Sequence, residues 1–157
     1  MILVVCGMVL SSCAATNVTP ISRNQFPIQT SAAPACGRTG AAKVAVRMAA
    51  VETIRRGYQR FVVLNASTQN NVSVLRTGPT YATTTGNATI YGNTAYGNAT
   101  TTYGGQQTLI LGSNDSDLNV LALNPSDRGF QNGIDAKREL GPKWEELVKS
   151  GVRTCTD

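Results

Sequence analysis

Apolar positions dominate the start of the chain, where Ile2-Leu3-Val4-Val5 and Met8-Val9-Leu10 run into Ser11-Ser12-Cys13. A polar stretch rich in Thr, Ser, Asn and Pro then extends to Gly40, and its composition predicts an extended tether stiffened at Pro20, Pro27 and Pro34. From Ala41 to Arg56 the rhythm becomes helical. Val44, Met48, Val51 and Ile54 share a side, alanines fill the gaps, and Gly57 supplies the stop. Period-two alternation follows at once. Arg60 to Ala66 predicts a strand with Phe61, Val63 and Asn65 on one face and Val62, Leu64 and Ala66 on the other.

Thr68-Gln69-Asn70-Asn71 predicts a turn, and Val72 to Thr77 a strand that closes a hairpin with the preceding one. Thr108 to Leu111 and Leu118 to Leu123 predict two further strands, with the polar run 112–117 as the turn between them. The C-terminal part returns to helical spacing. Asn132 to Leu140 forms one segment, Gly141-Pro142 interrupts it, and Lys143 to Ser150 forms the next. Its stripe of Trp144, Leu147 and Val148 is suited to packing on a sheet.

Residues 78–106 obey neither period. Gly86-Asn87-Ala88-Thr89, Gly92-Asn93-Thr94-Ala95 and Gly97-Asn98-Ala99-Thr100 form a short repeat interleaved with Tyr81, Tyr91, Tyr96 and Tyr103. Thr and Tyr favour strands while each Gly-Asn step favours a turn, so a long hairpin or loop insertion is expected. The fold class that results is α+β: an antiparallel sheet of about four strands with two or three helices packed on one face. The expected organisation is a signal peptide over 1–12, a lipidated N-terminus and tether over 13–40, and a single domain over 41–157.

Composition removes several functions. The chain of 157 residues carries a net charge of +5, but its only basic pairs are Arg55-Arg56 and Lys137-Arg138. A nucleic-acid binder needs a basic stripe or a known module, and neither is present. There is no His at all, which excludes Ser-His-Asp and Cys-His catalysis and weakens any zinc site. Asn114-Asp115-Ser116-Asp117 superficially resembles a calcium loop. Counted from Asp115, however, the Gly and Glu positions fall on Val120 and Ser126. Asp115, Asp117 and Asp127 therefore read as turn acids. Lys43, Lys137, Lys143 and Lys149 adjoin no Ser nucleophile, and no phosphate loop occurs. The expectation is a protein without enzymatic activity, cofactor, metal or nucleic-acid partner. Glu52, Arg55 and Arg56 read as a solvated helix end, with Asp135 or Glu139 as possible ionic partners.

The apolar run before Ser11 is too short to span a bilayer as a helix, which needs about 20 residues. Leu10-Ser11-Ser12-Cys13 resembles the lipobox of bacterial lipoproteins. That resemblance implies cleavage before Cys13 and acylation of its sulfur, palmitate included. No Lys or Arg precedes Cys13, so either translation starts upstream of Met1 or the signal is atypical. The competing reading is a buried N-terminal strand, Ile2 to Val5. Ala14 is not the Asp associated with inner-membrane retention, so the resemblance favours the outer membrane. With Cys6 removed and Cys13 acylated, Cys36 and Cys155 remain as a pair. In an oxidising compartment they read as a disulfide, the alternative being two unrelated thiols.

The run Ala49 to Leu64, an Ala-rich helix ending in Arg-Arg-Gly-Tyr and entering Phe61-Val62-Val63-Leu64, resembles small bacterial envelope lipoproteins. That resemblance implies a periplasm-facing α+β domain anchored in the outer membrane. The functional expectation is a structural or protein-interaction module, touching the membrane by its lipid and another envelope protein. The alternative is a glycan or peptidoglycan binder that stacks Tyr81, Tyr91, Tyr96 and Tyr103 on sugar rings. Pairing of the uncharged ribbon with itself is a third reading.

Overall fold

The computed structural model describes residues 13–156, and the expected signal segment 1–12 lies outside them. In chain order the strands are β1 (Ala14–Val18), β2 (Gln25–Ala32), β3 (Arg60–Asn70), β4 (Ser73–Arg76), β5 (Tyr81–Tyr91), β6 (Thr94–Gly104), β7 (Thr108–Leu111), β8 (Asn114–Leu123) and β9 (Ile134–Asp135). The helices are α1 (Gly37–Arg55), α2 (Ala136–Leu140) and α3 (Trp144–Ser150). The chain divides into two units: Ser73–Leu111, and everything described before and after it.

The larger unit is α+β. Its antiparallel sheet has the order β1-β2-β8-β3-β9. Alternation on β2 and β8 builds the core face. Phe26, Ile28, Thr30 and Ala32 are buried along β2, opposite Val120, Leu118, Ser116 and Asn114 of β8. α1 lies across this face. Its buried positions Ala41, Val44, Ala45, Met48, Ala49 and Val51 follow the helical i, i+3, i+4 rhythm, and the alanines let its backbone approach β2, β8 and β3 closely.

Residues 13–40 are not a tether. The polar residues that gave that impression are the solvent-side half of a two-strand alternation, and Phe26 and Ile28 on the other half are fully buried. The segment supplies β1, β2 and the first turn of α1, so the domain begins well before Ala41. The first described residues are tied down: Ala14 N–H donates to the Arg153 carbonyl at 2.7 Å, and Cys13 bridges to Thr154.

Three other expectations change. β3 does not form a hairpin with the strand after it; it pairs with β8 and β9, while β4 pairs with β7. The polar stretches Thr68–Asn70 and Asn114–Asp117 are not turns but opposed strand ends, in register from Thr68↔Ser116 to Asn70↔Asn114. Finally, α2 and α3 pack against α1 rather than on the sheet. Leu140 and Leu147 join the same buried core as Met48, and α2 starts only at Ala136, where the Asp135 carboxylate accepts from Arg138 N–H at 3.0 Å.

The sulfurs of Cys36 and Cys155 lie at disulfide distance, with Cα atoms 5.9 Å apart. They join the start of α1 to the C-terminal segment. Gly40 permits this, because a Cβ there would sit 3.0 Å from the Cys36 Cβ and 3.1 Å from the Cys155 Cβ.

Candidate functional site

Ser73–Leu111 has a different physical character from the larger unit. β5 and β6 run antiparallel for 11 residues each, joined by Gly92-Asn93, with Gly92 at φ +59°. Bonds from Thr77 N–H to Gln107 O and from Thr80 N–H to Gly104 O join this ladder to the short β4–β7 pair. No Asp, Glu, Lys or Arg lies between Arg76 and Asp115. Two strands have no second layer, so nearly every side chain is open to solvent.

The register sorts the β5–β6 side chains into two unlike faces. One carries Tyr81, Thr83, Thr85, Asn87, Thr89 and Tyr91 opposite Gly104, Thr102, Thr100, Asn98, Tyr96 and Thr94. The other carries Ala82, Thr84, Gly86, Ala88 and Ile90 opposite Tyr103, Thr101, Ala99, Gly97 and Ala95. The first is polar and the second small and apolar. The Thr84 and Thr101 hydroxyls on the second face bond each other at 2.8 Å.

The structure brings the four sequence-selected tyrosines to the ends of this ribbon: Tyr81 and Tyr103 at the base, Tyr91 and Tyr96 at the tip. Tyr81, Tyr91 and Tyr96 share the polar face, and Tyr91 is 74% exposed. Sequence reasoning missed the apolar part of this surface. Val74, Leu75, Ile90, Leu109, Ile110 and Leu111 are all exposed. The signal was present in Leu109-Ile110-Leu111, whose consecutive apolar residues leave no polar face for water.

The open face of the larger sheet is the second candidate. Asp115 and Asp117 alternate with buried Asn114 and Ser116 along β8 and line a shallow depression with Asn17, Gln29, Ser31 and Gln69. Ser31 Oγ and Ser113 Oγ donate to the Asp115 carboxylate at 2.7 and 2.9 Å, and Asn71 Nδ2 donates to its second oxygen. The Ser31 bond, then that of Ser113, holds the Asp115 carboxyl below its ordinary pKa of 3.8; burial opposes them, and the Asn71 bond lowers it by the least. A carboxylate depressed in the folded state contributes stability above its unfolded pKa and loses it as pH falls through the folded value. Asp115→Asn should therefore flatten the acid limb of stability below about pH 4, read by urea titration at several pH values. An unchanged acid limb would show that these bonds carry no linkage.

The remaining site residues are distributed apart from the ribbon. Cys13 is exposed and outside the disulfide. Arg55 and Arg56 meet Glu52 of their own helix at 2.8 and 3.7 Å, not Asp135 or Glu139. Arg55 also donates to the Val148 carbonyl at 2.8 Å, which fastens α3 to the end of α1. Asp127 accepts from Asn124 N–H at 2.7 Å, stabilising a turn. Among the described residues no cluster of His, Cys, Asp and Glu is arranged to hold a metal ion, and no helix is long and apolar enough to cross a membrane. Comparison with protein-family models, curated proteins and solved structures gives no match.

Proposed function

We propose that this is a non-enzymatic, lipid-anchored protein of the bacterial envelope, facing the periplasm from the outer membrane, in which the α+β unit presents Ser73–Leu111 as its interaction element. One observation carries the reading: Ser73–Leu111, whose single charged side chain is Arg76, exposes Val74, Leu75, Ile90 and Ile110, of which Ile90 is 73% exposed. Exposed apolar pairs such as Val74 with Ile110 and Leu75 with Leu109 mark a surface made for a partner. The lipid would sit on Cys13, as the lipobox resemblance implies, after removal of the signal peptide. The Cys36–Cys155 pair is consistent with an oxidising compartment outside the cytoplasm.

On this reading the Tyr/Gly/Asn stretch is an insertion grafted between β3 and β8. The graft point is narrow, since Asn71 N–H donates to the Ser113 carbonyl at 2.9 Å. Joining Val72 to Gly112 through a short Gly-Ser turn should leave the melting temperature of the larger unit within about 5 °C, or roughly 1 kcal/mol. The same deletion should abolish adducts formed in cells by a short-range crosslinker. Adducts that survive the deletion would move the interaction surface elsewhere. Cys13→Ala should leave the chain soluble or unprocessed; a variant still cleaved and membrane-bound would refute the anchor.

The shared face of Tyr81, Tyr91 and Tyr96 supports a second reading, a peptidoglycan or glycan contact through stacked rings. Retention on purified sacculi that is lost when these residues become Ala would favour it, and absence of retention would remove it.

A further inference from the structure

We propose that β5–β6 is a membrane-spanning β-hairpin, two staves of a barrel that closes through further copies of this chain. The inference rests on the envelope reading above and names its partner: the lipid bilayer, with identical ribbons at each edge.

Length is the first argument. Strands of 11 residues reach about 37 Å at ~3.4 Å per residue. Tilted by the 35–45° of membrane barrels, they cover about 26–30 Å of depth, matching the ~25 Å apolar band such barrels present.

Chemistry is the second. Barrel staves alternate between lipid and a wet lumen, and the register supplies that alternation. Ala82, Gly86, Ala88, Ile90, Ala95, Gly97 and Ala99 face one way, and Thr83, Thr85, Asn87, Asn98, Thr100 and Thr102 the other. The polar groups on the apolar side at mid-strand are the Thr84 and Thr101 hydroxyls, and they bond each other, as hydrocarbon requires. Charge is the most costly thing to place in a bilayer, and the segment contains none. Its tyrosines lie toward both ends of the ribbon, at the two levels where amphipathic rings favour the membrane interface, Tyr103 on the apolar face and Tyr81, Tyr91 and Tyr96 on the polar one.

The open edges settle what completes the structure. A two-stranded ribbon has an unpaired backbone row along each side, and such edges do not occur against lipid. Identical ribbons laid edge to edge satisfy both rows, and a rotational arrangement closes the ring. In water the same ribbon has no second layer, which accounts for exposed Ile90.

The test uses the lipidated full-length chain reconstituted into phosphatidylethanolamine–phosphatidylglycerol vesicles loaded with carboxyfluorescein. Expected results are dye efflux well above protein-free vesicles and crosslinked species at multiples of the chain mass. Ala99→Arg, at mid-strand on the apolar face, should slow efflux at least tenfold. Asn98→Arg, its neighbour on the polar face, should stay within threefold of the parent. Circular dichroism and a free-thiol assay on both variants confirm that the larger unit is folded. Vesicles that carry the chain without leaking, multimers that form only in water, or equal losses for the two Arg variants would each overturn the proposal. The anchor reading would survive all three. It fails separately, if the chain does not float with the vesicles.

Discussion

Cys36→Ser, or Cys155→Ser, is expected to lower the stability of the larger unit by about 2–5 kcal/mol. The two cysteines are 119 residues apart in sequence, so the bond removes a great deal of freedom from the unfolded chain. The C-terminal segment after α3 is held by Val152 in the core, the Ala14–Arg153 hydrogen bond and the Cys13–Thr154 bridge. The double variant should be about as stable as either single one, because each already removes the whole constraint. Urea unfolding of non-reduced protein measures this. A loss under about 0.5 kcal/mol, the size of an ordinary surface change, would show that the bond is absent or immaterial.

Phe26→Ala is expected to cost about 3–5 kcal/mol. Phe26 is fully buried on β2, in register with Val120 of β8, and the Arg56 guanidinium lies 4.4 Å over its ring. Truncation would leave a cavity beneath α1 and expose an arginine that had been partly satisfied by the aromatic face. Tyr91→Ala, on the exposed ribbon, should change stability by less than about 0.5 kcal/mol and serves as the control. The pair of values separates two accounts of residues 13–40. In a tether, Phe26 would be as dispensable as Tyr91.

That contrast shows where the sequence was legible. α1 was readable because its spacing, alanine content and Gly57 stop agree with one another, and the boundary moved only because Gly37 to Gly40 are helical under the disulfide. The Cys36–Cys155 pairing was readable from the number and position of the cysteines. β2 was not, because Pro27 and the polar residues between Phe26, Ile28 and Ala32 hide a half-buried strand inside a loop-like composition. Asn114 and Ser116 failed for a related reason: their polar side chains are buried at the far end of the core face, where turn residues are not expected. Strand pairing was the least accessible feature. β3 and β8 are neighbours across the whole Ser73–Leu111 ribbon, and local alternation carries no information about so distant a partner. The tyrosines were visible in the sequence, whereas the two faces of the ribbon required its register.

The central claim is that the ribbon, rather than the open face of the sheet, is where this protein meets its partner. Site-specific photo-crosslinking in cells, with Cys13 and the signal intact, tests it most directly. A photoreactive residue at Ile90 or Tyr96 is expected to give adducts, whereas one at Gln29 beside Asp115 and Asp117 is expected to give none. Adducts from Gln29 with none from Ile90 or Tyr96 would contradict the account.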